Sequence, residues 1–269
     1  MTDLRPRLPP HALGTIHTFL RAHALAPGLD GVVVGLSGGI DSALTARLAR
    51  DALGPSHVLG VLLPDAGYPA ELLKETQEYG RSLGFETRMV PIEPIAEAFR
   101  AALPPTDDRV ALGNTKARIR MTILYSFARA SRRLIAGAGN KSELLLGYFT
   151  KYGDGGVDLL PLGDLYKTEL RALAKELGLP QPILTRPPTA GLWAGQTDEG
   201  ELGASYEDID RVLRGLEELR REEEIVDLTG LSRDRVRAIV ARVDANRHKR
   251  KLPPVAKVGL RTVGIDWRE

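Results

Sequence analysis

The chain reads as an α/β protein: a doubly wound parallel sheet with helices on both faces, followed by a helical C-terminal section. Three observations predict this. Over residues 28–186, short apolar or β-branched runs alternate with segments whose apolar residues recur at helical spacing. A Gly-rich turn, GLSGGIDS (35–42), separates the first such run from the first such helix. After about Pro187 the strand-like runs stop and polar amphipathic helices take over, to residue 269. Strands separated by helices of this length imply right-handed βαβ units, and ligands of such sheets bind at the carboxyl ends of strands where strand order reverses.

The elements follow in order. GVVVGL (31–36) is a short β-branched run, as expected of a strand buried on both faces. IDSALTARLARDAL (40–53) has helical apolar spacing and meets a stop signal at Gly54–Pro55. HVLGVLL (57–63) is a second strand, AELLKETQEYGRSLG (70–84) a helix closed by Gly84, and FETRMVPI (85–92) a third strand. A short helix near 94–103 and a long amphipathic one over 108–130 precede a fourth strand, RRLIAGA (132–138). Beyond 187, YEDIDRVLRGLEEL and SRDRVRAIVARVDANRHK read as helices packed on the α/β body, so 1–269 is expected to act as one unit.

Composition narrows the function. The chain has 269 residues, 43% hydrophobic and 27% charged, with a net charge of +2 and charges of both signs interspersed. That balance argues against a nucleic-acid partner. No run approaches the ~20 apolar residues of a membrane span, and the start shows no secretory pattern. The expectation is a cytoplasmic enzyme. There is no cysteine, which excludes thiolate metal sites and Cys nucleophiles.

The chemistry centres on the Gly-rich turn. A glycine turn at a helix start offers unpaired backbone N–H groups and the positive end of the helix dipole, so it suits a phosphate. Gly38 and Gly39 allow close approach of an oxyanion, and Ser37 and Ser42 add hydroxyls. The common lysine-bearing loop has Lys before its last Ser or Thr; here Asp41 stands there. A carboxylate suits a different cut, in which pyrophosphate leaves as a unit and Mg²⁺ on Asp41 bridges phosphates. That is adenylation. A second charged, Gly-rich stretch, 137–180, holds Glu143, Lys151, Asp154, Asp158 and Lys167. Each alone would be an ordinary surface charge; clustered beside a strand end they mark a candidate site.

SGGIDS resembles the signature of the ATP-pyrophosphatase, or PP-loop, superfamily, with its Rossmann-like, adenine nucleotide alpha hydrolase-like fold. Together with NTKARIRMTILY, GNKSELLLGYFTKYGDGGVD, PTAGLWAGQTDEGELGASYEDID and NRHKRKLPP, it makes the chain similar to the NH3-dependent NAD synthetases from near Ile16 to about Val258. The resemblance implies an ATP- and Mg²⁺-using ligase that adenylates the nicotinate carboxylate of deamido-NAD and lets ammonia displace AMP. It implies that Gly35, Leu36, Ser37, Gly38, Gly39, Ile40, Asp41 and Ser42 hold ATP, joined by Ala138, Lys167 and Thr189. Asp41 and Glu143 would bind the metal; Lys167 would supply the positive charge missing from the loop. Arg118, Lys151, Asp158, His248 and Lys249 match deamido-NAD positions, and Asp154 one suggested to guide ammonia or take its proton. Ala138 replaces a Thr common in the family, so any nucleotide contact there is through backbone. The resemblance also implies a homodimer, with 108–130 a candidate interface, and a mobile lid in LWAGQTDEGELG. LLPDAGYPA looks like a second flexible loop beside the nucleotide.

Rival readings are weaker. The amidases that serve glutamine-dependent enzymes of this kind use a Cys nucleophile, and this sequence has none. EEEIVDLTGLSRDRVRAIVARV has the outline of a DNA-reading helix pair, but Leu231, Val236, Ile239, Val240 and Val243 give its second helix an apolar face for packing. No His has a partner at metal-ligand spacing, so His11, His17, His23 and His57 read as structural or exposed.

Overall fold

A computed structural model describes residues 3–193 and 195–267. Its sheet comprises β1 (Val32–Leu36), β2 (Val58–Leu62), β3 (Glu86–Met89) and β4 (Leu134–Ile135), all parallel, in the order β3-β2-β1-β4. The order reverses between β1 and β4, so the segments leaving those two strands share the switch point where the sequence puts its Gly-rich turn. The fourth strand is shorter than expected. Its ladder ends at Ile135; beyond it Ala136 donates to Val33 O (3.0 Å) and forms an isolated bridge to Leu159.

Alternation along β1 divides the core. Val32, Val34 and Leu36 join one cluster with α2 (Ile40–Leu53) and Tyr79 of α3 (Ala70–Ser82). Val33 joins the other, with Ile92, Ala96 of α4 (Glu93–Ala102) and Ile119 and Ala128 of α5 (Arg109–Ala130). Period two in a strand sends successive side chains to opposite faces, so a run of valines needs a helical layer on each side. Helix α5 begins where Asp108 caps it, the carboxylate accepting from Val110 N (2.8 Å) and Ala111 N (3.2 Å). One further helix, α1 (Ala12–Ala24), buries Leu20 and Ala24 against α2. Its sequence shows no long apolar run, only Ala12, Ile16, Leu20 and Ala24 at four-residue spacing.

Segment 137–180 is more ordered than its glycines suggest. It contains α6 (Lys141–Leu146) and α7 (Lys167–Glu176), followed by α8 (Gln181–Thr185). The C-terminal section holds α9 (Asp198–Leu202), α10 (Tyr206–Glu217), α11 (Glu222–Thr229) and α12 (Arg233–Ala245). These share a third apolar cluster that includes Leu146, Tyr166, Ile209, Val212, Val236 and Ile239, with Leu231, Val240 and Val243 packed against it. The apolar face read from the sequence is therefore an inward face. Three arginines of α12 meet acids of α10 and α11: Arg233–Glu223, Arg235–Asp208 and Arg237–Glu222. Among the described residues no long helix follows α12: after a short turn at Arg247–Lys249 the chain is irregular to residue 267, since Pro253, Pro254, Gly259 and Gly264 interrupt any helical run. Among the described residues no helix is long and apolar enough to cross a membrane.

Candidate active site

The Gly-rich turn is built as a cradle. Gly38 has φ +74°, and a Cβ there would lie 2.6 Å from both Leu72 Cδ1 and Thr76 Oγ1. Only glycine satisfies both the backbone and the space. Ser42 Oγ closes the turn, accepting from Ser37 N (3.2 Å), lying 3.0 Å from Ser37 Oγ and donating to Gly39 O (3.0 Å). The first intrahelical bond of α2 is Ala43 N–H to Gly39 O, at 3.1 Å. The N–H groups of Ile40, Asp41 and Ser42 thus begin the helix without partners of their own in it. Tyr68, in the loop after β2, donates to Ser37 O at 2.9 Å, and Arg186 donates to Gly38 O while pairing with Glu75.

Lys167 comes to this cradle from α7. Its Nζ donates to Asp41 Oδ2 at 2.6 Å and to Glu143 Oε1 at 3.1 Å, and the residue is 1% exposed. Burial alone would lower its pKa, but the charges of Asp41 and Glu143 outweigh that and raise it, so the ammonium stays protonated. Glu143 responds in the opposite sense. Burial, with the nearby charges of Asp41 and Asp198, outweighs Lys167 and pushes its carboxyl up to about 7. Asn140 ties the group together. Its Nδ2 donates to Asp41 Oδ1 (2.9 Å), and its Oδ1 accepts from Glu143 N (3.0 Å), while Glu143 Oε2 accepts from Asn140 N (3.3 Å). This is a capping box on α6, and the N-x-x-E spacing that announces it was available in the sequence.

A buried carboxylate anchors the lysine's backbone. Lys167 N donates to Ser142 Oγ (2.9 Å), Ser142 donates to Asp210, and Asp210 Oδ2 also accepts from Thr168 N (2.9 Å) and Thr168 Oγ1 (2.8 Å). Asp210 is fully buried, and burial raises its pKa against those bonds. Two more groups close over the lysine: Tyr206, whose ring centroid is 5.2 Å from Nζ, and Asp198, 4% exposed and bonded to the Tyr206 hydroxyl at 3.2 Å. Nothing in the sequence distinguished Asn140, Asp198, Tyr206 or Asp210 as polar groups destined for burial.

A second constellation lies along 147–158. Arg118, exposed on α5, donates from Nε and from one terminal nitrogen to Lys151 O (both 3.3 Å), and Lys151 Nζ donates to His248 O (3.1 Å). Lys249 Nζ donates to Gly147 O (2.6 Å) and Phe149 O (3.0 Å), and its charge acts on Asp154. Asp154 accepts from Thr150 N at 2.8 Å. It keeps exposed surface while crowded by its own loop, and that desolvation raises its pKa against the Thr150 bond and Lys249. Asp158 stands apart from these cations: it accepts from Tyr125 OH (3.0 Å) and Ile135 N (2.8 Å). Ala138 is half-buried just beyond β4. Thr189 is exposed, its hydroxyl accepts from Gly191 N (3.0 Å), and among the described residues no hydrogen bond joins it to Lys167.

Part of the expected lid is ordered structure. Thr197 caps α9, and Gln196 and Asp198 are buried; Ala194 of that segment lies outside the described residues. In the loop after β2, Asp65 accepts from Lys116 Nζ at 2.7 Å. Through Tyr68 that loop touches the Gly-rich turn.

The family model described as NAD synthase matches residues 12–253. An NH(3)-dependent NAD(+) synthetase of Methanosarcina acetivorans is 48% identical over 250 residues, covering 92% of this chain and 98% of that one. A solved NMN synthetase from Francisella tularensis is 34% identical with a TM-score of 0.81, covering 91% of this chain and 97% of that one. An NH3-dependent NAD synthetase from Campylobacter jejuni, solved with nitrate, is 34% identical with a TM-score of 0.78, over 91% of this chain and 98% of that one. With a parallel sheet whose switch point holds the Gly-rich cradle and its imported lysine, the chain belongs to the NAD synthase family of ATP-dependent ligases.

Proposed function

We propose that this chain converts deamido-NAD to NAD in two steps at the cluster of Asp41, Glu143 and Lys167. ATP first adenylates the nicotinate carboxylate: a carboxylate oxygen attacks the α-phosphorus and pyrophosphate departs. An ammonium then loses a proton, its nitrogen attacks the acyl carbon, AMP leaves with the electrons of the broken C–O bond, and the nitrogen sheds a second proton to solvent to leave the neutral amide. The observation that carries the reading is the buried ammonium of Lys167 held by two carboxylates directly beside the Gly-rich turn. Residues 35–42 offer backbone N–H groups and hydroxyls to the triphosphate, with Ala138 and Thr189 at its margins. Lys167 offers the positive charge.

Asp41 and Glu143 would hold Mg²⁺. The fit is good: both carboxylates converge on one cation, and among the described residues no third acid completes a protein-only cage. Mg²⁺ commonly takes one or two carboxylates and draws its remaining ligands from phosphates and water. When bound, the ion would offset negative charge on the phosphates.

Arg118, Lys151 and Lys249 form a cationic margin suited to the dinucleotide's phosphates, with His248 beside them as a hydrogen-bonding group; Asp158, apart from those cations, is suited to a polar contact elsewhere on the dinucleotide. Asp154, raised in pKa and open to solvent, is suited to accept the proton that ammonium must lose. A homodimer with α5 at its interface is consistent with the exposure of Phe99 and Leu103 before that helix and of Val110 in its first turn, apolar side chains that a second copy would cover.

The test is incubation with ATP, Mg²⁺, deamido-NAD and ammonium, assayed for NAD, AMP and pyrophosphate. ADP and orthophosphate as products would refute it. The likeness to a solved NMN synthetase makes the mononucleotide the competing acceptor, so nicotinate mononucleotide is run in parallel. Preference for the dinucleotide is expected from the 48%-identical relative. Light scattering in solution tests the dimer.

A further inference from the structure

We propose that Tyr206 and Asp198 form a positioning couple for Lys167, through which α9 governs how the ammonium is held. The inference rests on the adenylation role given to Lys167 above.

Tyr206 is fully buried at the first residue of α10, with Lys167 Nζ 5.2 Å and the Arg171 guanidinium 5.8 Å from its ring centroid. A cation within about 6 Å of an aromatic centroid is attracted to the ring face. A π face differs from a third carboxylate in one useful respect. It stabilises the ammonium without engaging an N–H in a directed bond, so Nζ is free to turn from Asp41 and Glu143 toward a phosphate oxygen.

The ring is useful only if it is held, and α9 holds it twice. The Tyr206 hydroxyl donates to Asp198 Oδ2 (3.2 Å), and the Tyr206 backbone N–H donates to Glu199 Oε1 (3.1 Å). Asp198 is an unusual anchor. It is 4% exposed, and its Oδ1 has no hydrogen-bond donor among the described residues. The neighbouring Tyr148 has one hydroxyl proton, which it donates to Glu201 Oε2 at 2.7 Å. A buried acceptor left short is destabilising, a burden that packing alone gives no reason to retain. The backbone N–H of Asp198 reaches Pro188 O at 3.1 Å, so the anchor also ties down the stem of the expected lid. Order in that segment therefore reaches Lys167 through one hydrogen bond and one ring.

The experiment compares the wild type, Tyr206→Phe, Asp198→Ala, the double variant and Asp198→Asn, measuring pyrophosphate release at varied ATP with a thermal melt of each. Tyr206→Phe removes a single oxygen and leaves the packing intact, so it remains informative if Asp198→Ala folds poorly. Tyr206→Phe and Asp198→Ala should each lower kcat roughly tenfold with KM for ATP within about twofold, and the double variant should be no worse than either, as for residues acting through one contact. Asp198→Asn keeps an acceptor for the hydroxyl and should retain most of the activity. Multiplicative losses, losses confined to KM, or losses that merely follow the melting midpoint would overturn the couple while leaving the adenylation reading intact. A wild type that releases no pyrophosphate would bring down both.

Discussion

Glu143→Gln should make the protein less active and remove part of its loss of stability toward alkaline pH, and the structure gives the size and direction of the second effect. The Glu143 carboxyl is pushed from 4.5 up to about 7 by burial and by neighbouring acids, despite its bond to Lys167. Below about pH 4.5 it is protonated in both folded and unfolded chains and distinguishes neither. Between 4.5 and about 7 the folded chain holds a proton that the unfolded chain has lost. Stability therefore falls as pH rises through that window, by up to about 1.4 kcal/mol per unit, and the loss is complete above it. The full effect is at most about 3 kcal/mol. Glutamine keeps the shape but has one acceptor oxygen where the carboxylate uses two, Oε1 for Lys167 and Oε2 for the Asn140 N–H, so one of those bonds is lost; it also has no proton to lose. Any fixed cost of the substitution is independent of pH, so the informative quantity is the difference between variant and wild type. In metal-free buffer that difference, from urea denaturation, should move in favour of the variant by about 2–3 kcal/mol between pH 5 and pH 8. A difference that is flat, or that moves the other way, would refute the view that Glu143 is held charged at a cost to the fold.

Asp41→Ala should lower AMP formation by roughly a hundredfold or more, the scale of losing a charged contact to the reacting group. The melt should keep a single cooperative transition; a collapsed melt would make Asp41 structural. Asp154→Asn should slow NAD formation more than pyrophosphate release, in assays that follow both products; equal slowing of the two would remove its role with ammonia. Gly38→Ala should destabilise by roughly 2–4 kcal/mol, since the left-handed backbone is strained with a Cβ and that Cβ meets Leu72 and Thr76 at 2.6 Å. A melt unchanged from wild type would mean that the turn relaxes freely.

Legibility in the sequence followed the range of the interactions involved. The Gly-rich turn and α2 were readable because their determinants are local: a β-branched run, two glycines, then apolar residues at helical spacing over Ile40–Leu53. Strand β4 was read too long because Ala136 and Gly137 look like strand, but after the Ala136 N–H bonds Val33 O the chain continues beside Leu159, in an isolated bridge and one backbone bond. Helix α7 was hidden inside a stretch whose glycines and charges suggested loop, although its Leu170, Leu173 and Ala174 bury one face. Lys167 was marked by the charge cluster in the Gly-rich stretch 137–180 and its role by likeness to a family, but its burial was not foreseen, since single lysines are ordinarily solvated. Asp198, Tyr206 and Asp210 carry no local mark: their burial is decided by contacts with residues 8 to 68 positions away.

The distance between Asp41 and Lys167, 126 residues along the chain, has a physical consequence for a loop that lacks its own lysine. Both side chains sit in the first turn of a helix, Asp41 on α2 and Lys167 on α7. There the helix dipole favours a carboxylate and disfavours an ammonium. Lys167 is therefore at the wrong end of its own helix and 1% exposed, a combination that would strand a buried positive charge were it not for Asp41 and Glu143. Those two carboxylates would in turn be costly without the lysine, as the raised pKa of Glu143 attests. The carboxylates more than offset the burial of the lysine, whereas the lysine offsets the burial of Glu143 only in part. A cation drawn to the carboxylates would leave the lysine in need of an anion, and an incoming triphosphate with its cation supplies both partners at once, oxyanions for the lysine and positive charge for the carboxylates. Free phosphate brings only the first and a free metal ion only the second. A site arranged in this way favours the paired ligand over either component, which is a form of selectivity that a lysine fixed within the loop would not provide.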